Sequence, residues 1–198
     1  MTKKIIIATG NKGKVKEFEE LFYSYGYEIE TLLDHPEIPD IPETGETFLE
    51  NAYQKASFLS EHLGKIVLAD DSGLEVDALD GAPGIYSARY AGEHGNDKKN
   101  NEKLLKDLKE LNTSNREANF ICSLVLVGPE REPLFVEGKV YGTILEEPRG
   151  ENGFGYDPLF IPEGYDKTFS QMGIDEKNKI SHRYRALNAL IEKLKERF

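Results

Sequence analysis

The sequence predicts an α/β fold with a mixed sheet, and three observations carry that prediction. Residues 4–33 read as strand, helix and strand. The spacing of apolar residues alternates between the strand period and the helix period along the rest of the chain. Late in the chain, two longer apolar strands are joined only by a short turn with a proline at each end. With 198 residues and 38% hydrophobic content, the chain is long enough for a real core and short enough to form one domain, 1–198. It shows no internal repeat, no low-complexity tract and no linker that would separate independent domains.

Each element has its own signal. Lys4 to Ala8 is short and β-rich, and Lys14 to Tyr25 places Val15, Phe18, Leu21 and Phe22 at helical spacing. Glu28 to Leu33 returns to a strand pattern, and the three prolines between His35 and Pro42 predict an extended loop. Thr47-Phe48-Leu49-Glu50 has the form of a capping box opening a helix to about Leu63, and Ile66 to Ala69 is the next strand. A helix over Asp97 to Leu111 precedes strands Ala118 to Val127 and Leu134 to Tyr141, with Pro129-Glu130-Arg131-Glu132-Pro133 as their turn. A last helix runs from Ser181, its expected N-cap, to Phe198.

Charge and cysteine usage exclude some classes. A net charge of -11 argues against a nucleic-acid polymer as partner, because such binding neutralises many phosphates with clustered Lys and Arg. A small polyanion held by a few local cations remains compatible. The one cysteine, Cys122, lies in an apolar run and reads as a buried hydrophobe; without an intramolecular disulfide, a reducing, cytoplasmic location is expected. The first apolar run, Ile5 to Ala8, is short and no run approaches membrane-spanning length, so no membrane partner is expected.

Five polar clusters and one loop residue can carry chemistry. In Val67-Leu68-Ala69-Asp70-Asp71-Ser72-Gly73-Leu74, two adjacent carboxylates follow a short apolar run. Like charges side by side favour a divalent cation or a proton-transfer role, with an acidic turn as the alternative. Thr9-Gly10-Asn11-Lys12-Gly13-Lys14 joins a strand to a helix and suits an anion, or is a loop with solvated lysines. It lacks the P-loop spacing. Asn51 and Lys55 share one helix face, flanked by Ala52 and Ala56, and form either a site or a solvated face. Glu43 lies in the loop before that helix, within reach of a metal held by Asp70 and Asp71. Gly153-Phe154-Gly155-Tyr156-Asp157-Pro158 suits stacking on a planar ring, or is a Gly-rich turn with a core Phe. Lys177-Asn178-Lys179-Ile180-Ser181-His182-Arg183 puts basic residues in the first turn of the last helix, where they oppose its dipole and call for an anionic partner. The histidines show no zinc-ligand spacing.

Taken together and in their order along the chain, these clusters resemble the inosine triphosphate pyrophosphatase family, also called the Ham1-like family of non-canonical purine nucleoside triphosphate pyrophosphatases. Glu43-Thr44-Gly45 with Phe48, Asn51, Ala52, Lys55 and Ala56, and Pro83-Gly84-Ile85-Tyr86-Ser87-Ala88-Arg89-Tyr90, join the same pattern over nearly the whole chain. Gln171 departs from it, since the family often has glutamate there.

The resemblance implies an elongated central sheet flanked by helices, with two lobes and an active-site cleft between them, and a homodimer. It implies hydrolysis of ITP, dITP or XTP to the monophosphate and pyrophosphate with Mg²⁺, Mn²⁺ being the alternative ion. Attack falls on the α-phosphorus, with Asp71 as the proton acceptor for water and Ser72 as a substrate contact. Glu43, Asp70 and Asp71 would hold the metal. Lys14, Lys55, Lys177 and the segment Thr9, Gly10, Asn11, Lys12, Gly13 would hold the triphosphate, with Asn51 as a further substrate contact. Phe154, beside Gly155 and Tyr156, would stack on the purine, Asp157 would accept from N1–H, and His182 or Arg183 would donate to the 6-keto oxygen. The competing expectations are a related pyrophosphatase acting on other modified nucleotides, and a non-catalytic nucleotide sensor using the same pocket.

Overall fold

The chain lays down strands β1 (Lys3–Ile7), β2 (Tyr27–Thr31), β3 (Val67–Val76), β4 (Glu117–Val127), β5 (Leu134–Ile144) and β6 (Phe160–Pro162). Between and after them come helices α1 (Lys12–Tyr23), α2 (Phe48–Leu63), α3 (Asp97–Glu110), α4 (Ile174–Lys177) and α5 (His182–Arg197). The structure is a computed structural model and describes residues 3–39 and 41–197. Met1 and Thr2, Asp40 in the expected proline-bearing loop, and Phe198 at the end of the expected last helix lie outside them. The strand order is β2-β1-β3-β4-β5-β6. β1 runs parallel to β2 and β3, and β5 antiparallel to β6, so the sheet is mixed as expected.

Three boundaries differ from the expected ones for identifiable reasons. α1 begins two residues early because Asn11 caps it, its Oδ1 accepting from the N–H groups of Gly13 and Lys14 at 2.9 and 3.0 Å. β2 stops at Thr31, where the Thr31 hydroxyl and the Asp34 carboxylate close a capping box on a 3₁₀ turn, Leu32–Asp34. β3 does not end at Ala69 but runs to Val76, so Asp70, Asp71 and Ser72 lie within a strand and the alternative of an acidic turn is overturned. The short β6 and α4 carry too few residues for a periodic signal.

The chain forms two compact units. The first comprises Met1–Asp71, Cys122–Gly138 and Arg183–Phe198. Its strands bury both faces. Ile7, Leu68, Cys122 and Leu124 pack with Phe18 and Phe22 of α1 and Leu187 and Leu190 of α5. Ile6, Ala8, Val67, Ala69 and Val125 pack with Ala52, Ala56 and Leu59 of α2. The odd and even positions of β3 therefore face different helices, as the two-residue period of a strand requires. Both helix alanines are fully buried, and their small side chains let α2 approach the strands. The second unit, Ser72–Ile121 and Lys139–His182, has its own core of Leu74, Leu104, Leu108, Phe120, Phe160 and Phe169.

Close packing at α2 makes overfilling costly. Ala56→Leu is expected to lower unfolding stability by about 1–3 kcal/mol, read from the urea midpoint; an unchanged midpoint would show that this helix face has room to spare.

Candidate active site

In the first unit, β3 presents two aspartates on opposite sides. Asp70 shares the parity of Leu68 and so faces α1 and α5, while Asp71 shares that of Ala69 and faces α2. Asp70 has no exposed surface and meets the Lys14 ammonium at 3.0 Å and Arg183 Nε at 3.7 Å. Arg183 Nη1 also donates to Glu17 Oε2 of α1 at 2.5 Å. Glu17 lies on the buried stripe Glu17, Phe18, Leu21, Phe22, and Arg183 on the buried stripe with Ala186, Leu187 and Leu190.

Asp71 keeps different company. Its Oδ2 accepts from Asn51 Nδ2 at 3.1 Å, and its Oδ1 lies 3.8 Å from Lys55 Nζ. Lys55 also pairs with Glu43 at 2.7 Å. The Glu43 loop is tied down on α2 by Thr44 N–H to Gln54 Oε1, Gly45 N–H to Asn51 Oδ1 and Glu46 N–H to Glu50 Oε2, at 3.0, 2.8 and 2.7 Å. A side chain at Gly45 would come within 2.6 Å of Glu50 Cβ, so only glycine lets the loop lie this close. Asn51 and Lys55 are both buried, which rules out a solvated helix face. Asn51 bridges the Glu43 loop to Asp71.

These neighbourhoods give the two aspartates opposite proton affinities. Burial alone would raise Asp70, but Lys14, then Arg183 and Lys55, outweigh it and hold it at about 2. Burial pushes Asp71 up, and Glu43 and Asp70 add to that rise against the pull of Lys55 and Lys14. Burial would lower Lys55, yet Asp71, Glu43 and Asp70 raise its pKa, so it stays an ammonium. Among the described residues no three His, Cys, Asp or Glu side chains stand together as a ready-made cation site. The donor chemistry nonetheless fits a hard divalent ion, since Glu43 and Asp71 are carboxylates already gathered by one cation, Lys55.

The second unit holds the loop around Phe154. Lys177, buried at the end of α4, pairs with Asp157 Oδ2 at 2.6 Å, and the same oxygen accepts from Phe154 N–H at 3.0 Å. The Lys177 ammonium lies 5.0 Å from the centre of the half-buried Phe154 ring. Gly153 has φ +77°, and a Cβ there would collide with the Asp157 carboxylate. Tyr156 donates to the Ser87 carbonyl at 2.7 Å. His182, also buried, stacks on Phe120 at 4.9 Å, and Ser72 is half-buried in β3.

The expected site residues are thus gathered in two groups. Lys14, Glu43, Asn51, Lys55, Asp70, Asp71 and Arg183 form one, within the first unit. Phe154, Gly155, Tyr156, Asp157 and Lys177 form the other, within the second. Within its unit, Lys177 stands beside the Phe154 ring. The anionic partner that the last helix called for is internal, because Glu17 and Asp70 take up Arg183. In the first loop, Thr9 is buried and its hydroxyl accepts from Asn11 N–H at 3.2 Å, while Lys12 is exposed. Asn11 consumes two amides, Gly13 and Lys14, that the sequence offered to an anion, and leaves Gly10 with open space around it. Gln171 acts as a cap, its side-chain oxygen accepting from Thr168 N–H at 3.0 Å, a task amide and carboxylate oxygens share. Glu17 was missed; a charged residue on the apolar stripe of α1 was its signal.

The model of the Ham1 family matches residues 5–193. A protein from Bacillus cereus named dITP/XTP pyrophosphatase is 52% identical over 198 residues, covering 99% of this chain and 97% of that protein. A protein of the same name from Clostridium perfringens is 53% identical, covering 98% of each. The solved structure of the Staphylococcus aureus Ham1 protein superposes with a TM-score of 0.86 at 45% identity, covering 99% of this chain and 100% of that one.

Neighbouring aspartates should respond oppositely to removal of their charge. Asp70 goes from 3.8 to about 2 on folding, so its contribution of about 2 kcal/mol is present above 3.8 and lost as pH falls through about 2. Asp70→Asn is expected to lower stability at pH 7 by at least that amount. For Asp71 the sign reverses: folding raises its proton affinity, so its ionisation costs stability once pH exceeds the folded value. Asp71→Asn should be at least as stable as the parent at pH 7 and lose that advantage near pH 3. Urea unfolding of metal-free protein at both pH values checks this; equal losses from both variants would contradict it.

Proposed function

The chain belongs to the Ham1 family, and on that footing we propose that it hydrolyses the non-canonical purine nucleoside triphosphates dITP, ITP and XTP to the monophosphate and pyrophosphate. The observation that carries the chemistry is the buried Asp71, raised in proton affinity yet kept beside the Lys55 ammonium. Its support in kind comes from relatives named dITP/XTP pyrophosphatase at 52–53% identity over nearly the whole chain.

Water attacks the α-phosphorus and its proton passes to an Asp71 carboxylate oxygen as the new P–O bond forms and the α–β bridging bond breaks. A carboxylate whose proton affinity exceeds the ordinary value is the better acceptor at neutral pH. Asn51 holds that carboxylate in place through Nδ2. Lys14 and Lys55 offset negative charge on the triphosphate and the departing pyrophosphate. Asp70 keeps the Lys14 ammonium in position. Mg²⁺, when bound, would add charge neutralisation at the pyrophosphate oxygens, with Glu43, Asp71 and Asp70 as the oxygen donors this chain offers. Glu43 and Asp71 are the closer pair, since they share Lys55.

Base choice falls to the second unit. The Phe154 ring supplies a stacking face, and Asp157 with Lys177 sets an acceptor beside a donor at 2.6 Å. Hypoxanthine and xanthine present the complementary pair, N1–H and a 6-keto oxygen. Adenine presents the reverse pair, an N1 acceptor and a 6-amino donor, and would leave buried polar groups of the site unpaired. The donor to the 6-keto oxygen in this reading is His182 or Arg183, the latter also paired with Glu17 and Asp70.

The same reading includes a cytoplasmic location, supported by a single, buried free cysteine. It also includes a homodimer, for which light scattering should return twice the mass of one chain.

The direct test is pyrophosphate release with Mg²⁺ from dITP, ITP and XTP beside ATP and GTP. Rates on the first three should exceed the rate on ATP by on the order of 100-fold or more, and equal rates on all would defeat the selectivity reading. Asp71→Asn should keep the fold and lose about 100-fold or more in kcat; near-parental turnover would remove Asp71 as proton acceptor.

A further inference from the structure

The segment that carries Phe154 is built from residues that favour mobility. Gly153 and Gly155 flank the ring at φ +77° and +60°, and a Cβ at Gly155 would meet nothing within 4 Å, so packing alone does not fix its backbone. Hydrogen bonds do. Gly155 N–H donates to Asp97 Oδ2 at 2.7 Å, and Gly155 C=O accepts from Asn101 Nδ2 at 2.9 Å. Both polar groups of one glycine are thus held by two side chains from one helix, more than fifty residues away in sequence. Asp97 and Asn101 are four apart on α3 and share a face. Between them Asn100, buried, accepts from Ala91 N–H at 2.8 Å and donates to Ala88 C=O at 3.2 Å, which roots the start of the helix in the preceding segment. On the other side of the ring residue, Phe154 N–H is fixed by Asp157.

We propose that Asp97 and Asn101 are positioning residues for base recognition: by clamping Gly155 they hold the Phe154 ring in the orientation in which it receives the purine, and so set the affinity for the nucleotide. Both act on the ring through the Gly155 backbone, and neither belongs to the clusters from which the catalytic and binding residues were read. The inference rests on the reading of Phe154 as the stacking face. A glycine-flanked ring without the clamp samples many orientations, and the purine must then select the competent fraction. Apparent affinity falls by that fraction. The chemical step at the α-phosphorus is carried by residues of the other unit and is touched far less.

The experiment is steady-state kinetics on dITP with Mg²⁺ for Asp97→Ala, Asn101→Ala, Asp97→Asn and Phe154→Ala, with thermal midpoints for each. Asp97→Ala and Asn101→Ala are expected to raise KM by about tenfold or more with kcat within about threefold of the parent. Asp97→Asn keeps an oxygen acceptor for Gly155 N–H and should return KM to within about threefold of the parent. If one alanine variant fails to fold, the other carries the test. An unchanged KM in both clamp variants, or a fall in kcat at constant KM, overturns the inference even if their thermal midpoints drop. The Phe154→Ala arm separates the two claims: a raised KM there with unchanged KM in the clamp variants sinks the clamp alone. Unchanged KM in Phe154→Ala sinks the stacking reading and the inference with it.

Discussion

The constraint on which the first unit depends is the alternation of side chains along β3 at Asp70 and Asp71. Two adjacent carboxylates in a buried strand would repel and resist ionisation if they shared an environment. The strand period sends them to opposite faces. Asp70 enters the face lined by α1 and α5, where Lys14 and Arg183 supply positive charge and Glu17 completes the pairing. Asp71 enters the face lined by α2, where one ammonium, Lys55, is divided between it and Glu43. Identical residues one position apart thereby acquire opposite proton affinities, Asp70 held low by its cations and Asp71 raised by burial.

This division explains the placing of the other polar residues in the first unit. A buried ion pair stabilises only if each partner is satisfied, and Glu17 and Arg183 sit where α1 and α5 would otherwise need apolar side chains. On the α2 face, Asn51 uses both ends of its amide, accepting from Gly45 and donating to Asp71, so the Glu43 loop and the strand are set by one side chain. The second unit solves a different problem, holding a ring on a glycine-rich loop: Asp97 and Asp157 accept from its backbone N–H groups and Asn101 donates to a backbone carbonyl. In both units an asparagine that fixes backbone stands next to the residue given a functional task.

Much of this was legible in the chain itself. The β-α-β opening, the Thr47 cap of α2 and the two long strands are local signals, set by period and by capping chemistry, and they stand within a few residues of where periodicity puts them. The motif residues from Thr9 to Lys14, around Asp71 and around Phe154 were identifiable because, taken together along the chain, they resemble one family's pattern. What remained hidden depends on tertiary partners. Asp-Asp-Ser-Gly leaves a turn open as an alternative until the buried cations that allow it to continue as strand are known. The pairing of Arg183 with Glu17 leaves no local trace, because the two are 166 positions apart in sequence. Lys177 reads as one more phosphate cation, and only the fold places it beside Asp157 and the Phe154 ring. Asp97 and Asn101 carry no local mark at all, since their function is to hold a backbone far along the chain.

The claim that β3 gives its two aspartates opposite electrostatic surroundings is tested most directly by carboxyl-carbon NMR titration of metal-free protein, with Asp70 and Asp71 assigned individually. Asp70 should titrate at about 2 and Asp71 above the ordinary 3.8. Two carboxyls titrating together, or Asp71 below Asp70, would contradict it.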